Sequence, residues 1–149
     1  MLKKFKNILK NEDGQSLVEF ALVLPVLLLL LFGIIEFALI FHADLVLSHS
    51  AREGVRKGSI YASSVSNEDL YNKVENGVYN SSPSLDHKKL NINISFEKKS
   101  NNVNRGDDIV VELEYKSRFF TPLMNMFSSD DGEYIILTES KTMNVEWGW

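Results

Sequence analysis

The 149-residue chain contains no cysteine, only three prolines and only three histidines. Without cysteine it can form neither disulfides nor thiolate metal sites, so an exported domain of this size must be held together by packing and sheet pairing. It also lacks a glycine-rich phosphate loop, a G-x-S-x-G elbow and a cysteine nucleophile, the signatures of several enzyme classes. We therefore expect no enzyme activity, no catalytic residue and no cofactor.

Metal ligands are equally sparse. His49 and Glu53 lie four residues apart, but a zinc site needs at least three protein ligands, so we expect no metal site there. Asp107 and Asp108 could bind calcium with Asp130 and Asp131 if their loops converged, although carboxylate runs in loops are usually only solvated. The tripeptide that begins at Arg105 has residues typical of a turn between strands, and we interpret it as a turn.

Positive charge is scarce outside the N-terminus. The chain has a formal net charge of −4, yet its first 14 residues carry four lysines against two carboxylates. Lysines directly before a hydrophobic stretch remain in the cytoplasm, which predicts a cytoplasmic N-terminus and an extracytoplasmic remainder. That remainder is acidic, which argues against nucleic acid as a partner.

One hydrophobic stretch, from Gly14 to Phe41, dominates the sequence. Sixteen residues from Phe20 to Ile35 carry no charge, and the apolar part spans about 37 Å as a helix, enough to cross a bilayer. The core helix of a soluble domain would need a polar side, which the leucine-rich centre lacks. A secretory signal peptide would be shorter and would end in small residues. The sequence therefore predicts one membrane-spanning helix.

The same helix is predicted to continue beyond the membrane to about residue 60. No proline occurs between Val26 and Pro83, and a polar stripe recurs every four residues opposite a row of small and apolar residues. We expect Gly54 to lie in a close packing contact and Gly58 to cap the helix. We expect Glu53 to pair with Lys57. The polar stripe comprises Asp44, Ser48, Arg52 and Arg56, and the opposite row Ala43, Leu47, Ala51 and Gly54 or Val55.

The remaining sequence predicts a small α+β domain. Ser66 with the following Asn-Glu-Asp is a capping-box start for an amphipathic helix from about Asn67 to Tyr79. Alternating apolar residues predict a strand over 90–96, a turn over 101–108 and a second strand over 109–118. Residues 119–127 are predicted to form an apolar loop or a short helical turn, and a last strand is predicted over 133–147 with a bulge near Thr138. We therefore predict a long N-terminal helix followed by a short helix packed on an antiparallel sheet of about three strands.

The start of the hydrophobic stretch resembles the processing site of type IV prepilins and pseudopilins. A basic leader ends at Gly14, and Gln15 to Phe20 read QSLVEF. The resemblance implies that a membrane peptidase cuts after Gly14, so that Gln15 becomes the N-terminus and Glu19 its fifth residue. In that family the glutamate can pair with the α-amino group of a neighbouring subunit. A boundary carboxylate that simply reaches water explains Glu19 equally well.

Two further blocks narrow the resemblance. The stretch VEFALVLPVLLLLLFGIIEF has an early proline, a later glycine and a second glutamate, and HSAREGVRKG follows just beyond the span. Together they resemble the TadE family of minor pseudopilins from tight-adherence pilus systems. The resemblance implies assembly contacts at Glu19, Phe20 and Glu36, although for Glu36 contact with water is the default. It implies helix packing at Pro25, Gly33, Ala51, Arg52, Gly54 and Arg56.

Three segments follow from these observations: a leader over 1–14 that a peptidase would remove, a transmembrane and juxtamembrane helix over 15–60, and an extracytoplasmic domain over 61–149. The resemblance implies a pilus-assembly component that primes, caps or decorates a filament, in the cell membrane or in a surface filament. Its partners would be the membrane, other pilins or pseudopilins, a prepilin peptidase and the assembly platform. The alternative is a single-pass anchored binding or accessory protein that never enters a filament; retention of residues 1–14 would favour it.

Overall fold

The computed structural model describes residues 12–62, 66–97, 107–121 and 134–145. The chain divides into two compact units, of which the first extends to Ala38 and the second comprises residues 39–149. The described secondary structure consists of two α-helices, a short 3₁₀ turn and three strands. The α+β fold expected from the sequence is confirmed.

Helix α1 runs from Glu12 to Tyr61 and includes Pro25. Leucine-rich sequence favours a helix, and Pro25 removes only one backbone donor, which a helix in a membrane environment tolerates. The helix continues past Gly58, so the expected cap at that residue is wrong. The N–H of Ala62 donates to the carbonyl oxygen of Gly58 over 3.0 Å, which makes Gly58 a member of the last helical turn.

Helix α2 runs from Asn67 to Ser81 and begins as the capping-box pattern predicts. The N–H of Asp69 donates to the hydroxyl oxygen of Ser66 over 3.2 Å, satisfying one of the free donors at the helix start. Leu70, Val74 and Val78 are fully buried. Their four-residue spacing places them on one face, and this face is the part of α2 that enters the core.

The sheet has the order β1-β2-β3 and is antiparallel throughout. Its strands are β1 (Leu90–Glu97), β2 (Asp108–Arg118) and β3 (Tyr134–Asn144). In the register Leu90 lies opposite Tyr115, which in turn lies opposite Leu137. Alternate residues of all three strands therefore share one face, and the buried side chains of the central strand β2 mark it as the core face.

The core lies within the second unit and joins three sources of apolar side chains. Helix α1 contributes one stripe, α2 contributes its buried face, and β2 contributes four consecutive inward-facing positions. The α1 stripe is the row that the sequence places opposite the polar positions, with Leu47 and Ala51 fully buried. The main members are Ala43, Leu47, Ala51, Val55, Leu70, Val74, Val78, Ile109, Val111, Leu113 and Tyr115.

The predicted bulge in the last strand is wrong. Strand β3 pairs with β2 without interruption from Tyr134 to Asn144, and its half-buried and exposed positions alternate along its whole length. The hydrophobic pattern changes phase because Glu139 and Lys141 occupy the core face. These two side chains form a salt bridge of 2.9 Å, which allows charged groups to remain at half-buried positions.

Two other expectations fall partly or wholly outside the described residues. Most of the predicted turn over 101–108 and most of the apolar loop over 119–127 lie there. The calcium alternative also depends on Asp130 and Asp131, which are not described. Among the described residues, no group of three histidine, aspartate or glutamate side chains is placed to hold a metal ion.

Candidate assembly segment

The predicted processing site lies in the first turns of α1. Gly14 and Gln15 are helical, and the side-chain amide of Gln15 donates to a carboxylate oxygen of Glu19 over 3.2 Å. Gln15 and Glu19 are both exposed. A peptidase that cuts after Gly14 would therefore have to unwind the helix start. Gly14 has no Cβ and is therefore the residue best suited to this unwinding.

The apolar side chains of α1 are exposed over nearly the whole stretch before Ala43. Phe20 is 61% exposed and Leu22 is 71% exposed. Soluble monomers rarely expose contiguous apolar patches of more than a few hundred Å², and larger patches mark sites for lipid or protein partners. Within the described residues, α1 is the one helix long and apolar enough to cross a membrane. Its further exposed members include Leu17, Val18, Val23, Val26, Leu27, Leu29, Leu30, Leu31, Ile34 and Phe37.

The two glutamates of this stretch have different surroundings. Glu19 is exposed, whereas Glu36 is only 1% exposed and interacts with other protein groups. The expectation that Glu36 contacts water by default is therefore wrong. Sequence pattern alone could not show this, because a glutamate at the end of an apolar run can either reach solvent or be enclosed by its own chain.

Pro25 and Gly33 remain on open surface. Pro25 is exposed, and a Cβ added to Gly33 would meet nothing within 4 Å in the described part of the chain. Neither residue is packed against another part of the chain that the structure describes. The resemblance implies packing partners for both, and the described residues do not include them.

The other predicted packing residues lie farther along α1 and face the protein's own core. Ala51 is fully buried, and a Cβ added to Gly54 would lie 2.8 Å from Cγ2 of Val78 and 3.4 Å from Cγ1 of Val111. Gly54 therefore lets α1 approach α2 and β2 closely. Ala51 and Gly54 therefore pack against other parts of their own chain.

The two arginines of this block point away from the core. Arg52 and Arg56 are exposed. The guanidinium of Arg56 donates to both carboxylate oxygens of Glu53, over 2.6 Å and 2.9 Å. This hydrogen bonding and the attraction of the guanidinium hold the pKa of Glu53 below its usual range. Glu53 thus pairs with Arg56, and the predicted pair with Lys57 is wrong.

Two close contacts in the same region are not apparent from the sequence pattern. Ser59 is buried, and its hydroxyl donates to the carbonyl oxygen of Asn144 at the end of β3. Gly77 of α2 lies against the side chain of Lys57, whose Cδ would be 2.8 Å from an added Cβ. A serine two residues before a helix end and a glycine inside a predicted helix are the only sequence signals for these contacts.

Comparison with known proteins covers the N-terminal part of the chain. Neither curated proteins nor solved structures gave a match. The stretch that does match begins at the predicted processing glycine and ends with the exposed Arg56, so it includes both the exposed apolar surface and the buried Ala51 and Gly54. Residues 14–56 match the family of TadE-like proteins, which confirms for this segment the resemblance that its sequence indicates.

Proposed function

We propose that this protein is a TadE-like component of a tight-adherence pilus system, and that it enters the filament or its assembly complex through the exposed part of α1. The observation that carries the proposal is the TadE-like match over residues 14–56. That match includes the helix whose apolar surface is long enough to cross a membrane.

The division of α1 supports a role in assembly. Residues from Ala43 onward that face the core are buried against the protein's own α2 and sheet, so this side is already occupied. The open surface lies before Ala43, around Phe20, Pro25 and Gly33. Helix burial in a bundle of subunits would remove this surface from lipid, with close approach at Gly33.

Glu19 would act at the start of this surface. After cleavage behind Gly14, the α-amino group of Gln15 in a neighbouring subunit could pair with its carboxylate in a low-dielectric bundle. In the single chain the carboxylate is exposed and accepts the weaker amide hydrogen bond of its own Gln15. The proposed role of this protein in the pilus is therefore assembly, as a minor subunit that primes, caps or decorates the filament.

N-terminal mass spectrometry after co-expression with a prepilin peptidase tests the proposal. We expect wild-type protein to begin at Gln15, and we expect Gly14→Val to remain uncut because a β-branched residue restricts the backbone at the site. Gly33→Val is a matched control, since it makes the same change on the same helix and should be cut normally. Retention of residues 1–14 in the wild type would favour the alternative, a membrane-anchored accessory protein outside any filament.

A further inference from the structure

A pocket of about 350 Å³ lies in the second unit, at one end of the sheet. Antiparallel pairing brings the start of β1, the end of β2 and the start of β3 to this same end: Leu90 lies opposite Tyr115, and Arg118 lies opposite Tyr134. The pocket is completed by Leu39 and His42 of α1. It therefore combines side chains from distant parts of the sequence.

Every ionisable lining side chain other than a tyrosine is basic. His42, Lys89 and Arg118 line the pocket, and no carboxylate does so among the described residues. Lys89 is only loosely held by Asp86, at 4.0 Å, and its ammonium lies 5.8 Å from the ring centre of Tyr134. Arg118 has another interaction within the protein, but a guanidinium has five donors and can serve more than one acceptor. In an otherwise acidic unit, this pocket is a local positive site.

The remaining lining residues divide into hydroxyl groups and an apolar wall. Ser84, Tyr115 and Ser117 provide hydroxyls, while Leu39, Phe119 and Phe120 provide apolar surface. Phe120 is 68% exposed and Tyr134, at the same end of the sheet, is 47% exposed. Exposed aromatic side chains beside basic groups are typical of a membrane–water interface.

Along α1, the pocket lies near the end of the apolar stretch. Leu39 lies within the last apolar turns of the candidate span, and His42 follows directly after Phe41. At about 1.5 Å per residue, the pocket begins within one helical turn of the end of the apolar stretch. A ligand here would meet hydrocarbon on one side and hydrogen-bond donors on the other.

We propose that the pocket binds the phosphate headgroup of an anionic phospholipid in the leaflet next to the second unit. The basic side chains and hydroxyls receive the phosphate, and the apolar wall receives the start of an acyl chain. Basic pockets beside membrane helices bind anionic headgroups in this way. The site would fix the height of the second unit at the membrane surface, and it does not depend on entry into a filament.

Native mass spectrometry of the full chain in a nonionic detergent tests this site, with short-chain phosphatidylglycerol as the probe. We expect one bound lipid to be retained, more strongly than phosphatidylcholine of the same chain length. Lys89→Gln should weaken retention about fivefold. Lys88→Gln is the matched control, because it removes the same charge from the adjacent residue, which is exposed and does not line the pocket.

Three results would overturn the proposal. Equal weakening by Lys89→Gln and Lys88→Gln would mean general surface attraction, and equal retention of the two lipids would mean that the anionic headgroup is not recognised. Displacement of the lipid by inorganic phosphate at equal concentration would identify a site for free phosphate. As a second variant, His42→Gln should weaken retention of the anionic lipid, while His49→Gln, at an exposed position of the same helix that does not line the pocket, should not.

Discussion

At the scale of single residues, Gly54 and Gly58 determine how closely α1 lies on the core. A Cβ at Gly58 would overlap Cδ1 of Ile109 and would lie 3.2 Å from Cγ2 of Val74. Both neighbours are fully buried, so they have little room to move. The four-residue spacing of these glycines does bring two helices together, but the second helix is α2 of the same chain.

We expect Gly58→Ala to lower the stability of the second unit by about 1 kcal/mol. Overpacking a filled core costs ~1–3 kcal/mol, and the better helix propensity of alanine returns ~1 kcal/mol. Gly77→Ala is the matched control on α2, where the added Cβ would meet only the flexible stem of Lys57. That variant should be as stable as the wild type or more so. Thermal unfolding of the full chain in nonionic detergent distinguishes them; equal melting temperatures for Gly58→Ala and wild type would contradict the close packing.

A second residue-scale prediction concerns the pH dependence of the Glu53–Arg56 pair. The pKa of Glu53 is lowered in the folded protein. Its contribution to stability is therefore present above the unfolded pKa, about 4.3, and is lost as pH falls through the folded value. We expect Glu53→Gln to lower the melting temperature slightly at pH 7 and not at all at pH 2.

The control for this pair is Glu75→Gln on α2, a carboxylate without an ion-pair partner among the described residues. It should show a smaller difference between the two pH values. Because the Glu53–Arg56 pair is on the surface, the effect should also decrease in high salt. A melting difference for Glu53→Gln that persists at pH 2 would mean that the side chain acts through packing instead of charge.

At the scale of elements, hydrophobic periodicity predicted the helices and the first two strands. An element that buries one face needs apolar residues at the spacing of that face. Leu70, Val74 and Val78 recur at helical spacing and are buried together, and Ser66 caps their helix. The last strand was harder to predict. Glu139 and Lys141 satisfy each other on the core face, so the apolar alternation breaks although the strand itself is regular. Apolar alternation alone does not reveal a salt bridge between two charged residues on the core face of one strand.

Helix α1 also carries a prediction about its orientation in the membrane. The lysines before the apolar stretch should hold residues 1–14 in the cytoplasm and place the second unit outside. In cells without prepilin peptidase, protease added from outside should remove a C-terminal tag and spare an N-terminal tag. Permeabilised cells, in which both tags should be cut, provide the control. Loss of the N-terminal tag from intact cells would reverse the orientation.

At the scale of the whole molecule, the parts that the sequence could not predict are those where distant segments meet. The basic pocket needs α1, the segment just before β1 and the end of β2 together, and its three basic side chains are spread over 77 residues of sequence. The exposed apolar surface of α1, in contrast, follows directly from an uninterrupted apolar run.

Assembly of the whole molecule makes different demands on Glu19 and Glu36. Glu36 is buried and interacts with another group of the protein, so Glu36→Leu should remove that interaction and reduce the melting temperature, at a cost of ~1–3 kcal/mol. Glu19 is exposed in the single chain, so Glu19→Leu should leave melting and membrane insertion unchanged.

In a filament the result for Glu19 should differ. Pairing with the α-amino group of a neighbouring Gln15 in low dielectric would be lost, and one charge would remain buried without a partner, at ~3–5 kcal/mol. We therefore expect Glu19→Leu to reduce recovery of the protein in sheared surface filaments at least tenfold relative to the membrane fraction. Val23→Leu, one helical turn farther along the same exposed surface, is the neutral control. Recovery of Glu19→Leu equal to wild type would show that Glu19 is only a boundary carboxylate, and that α1 serves as an anchor.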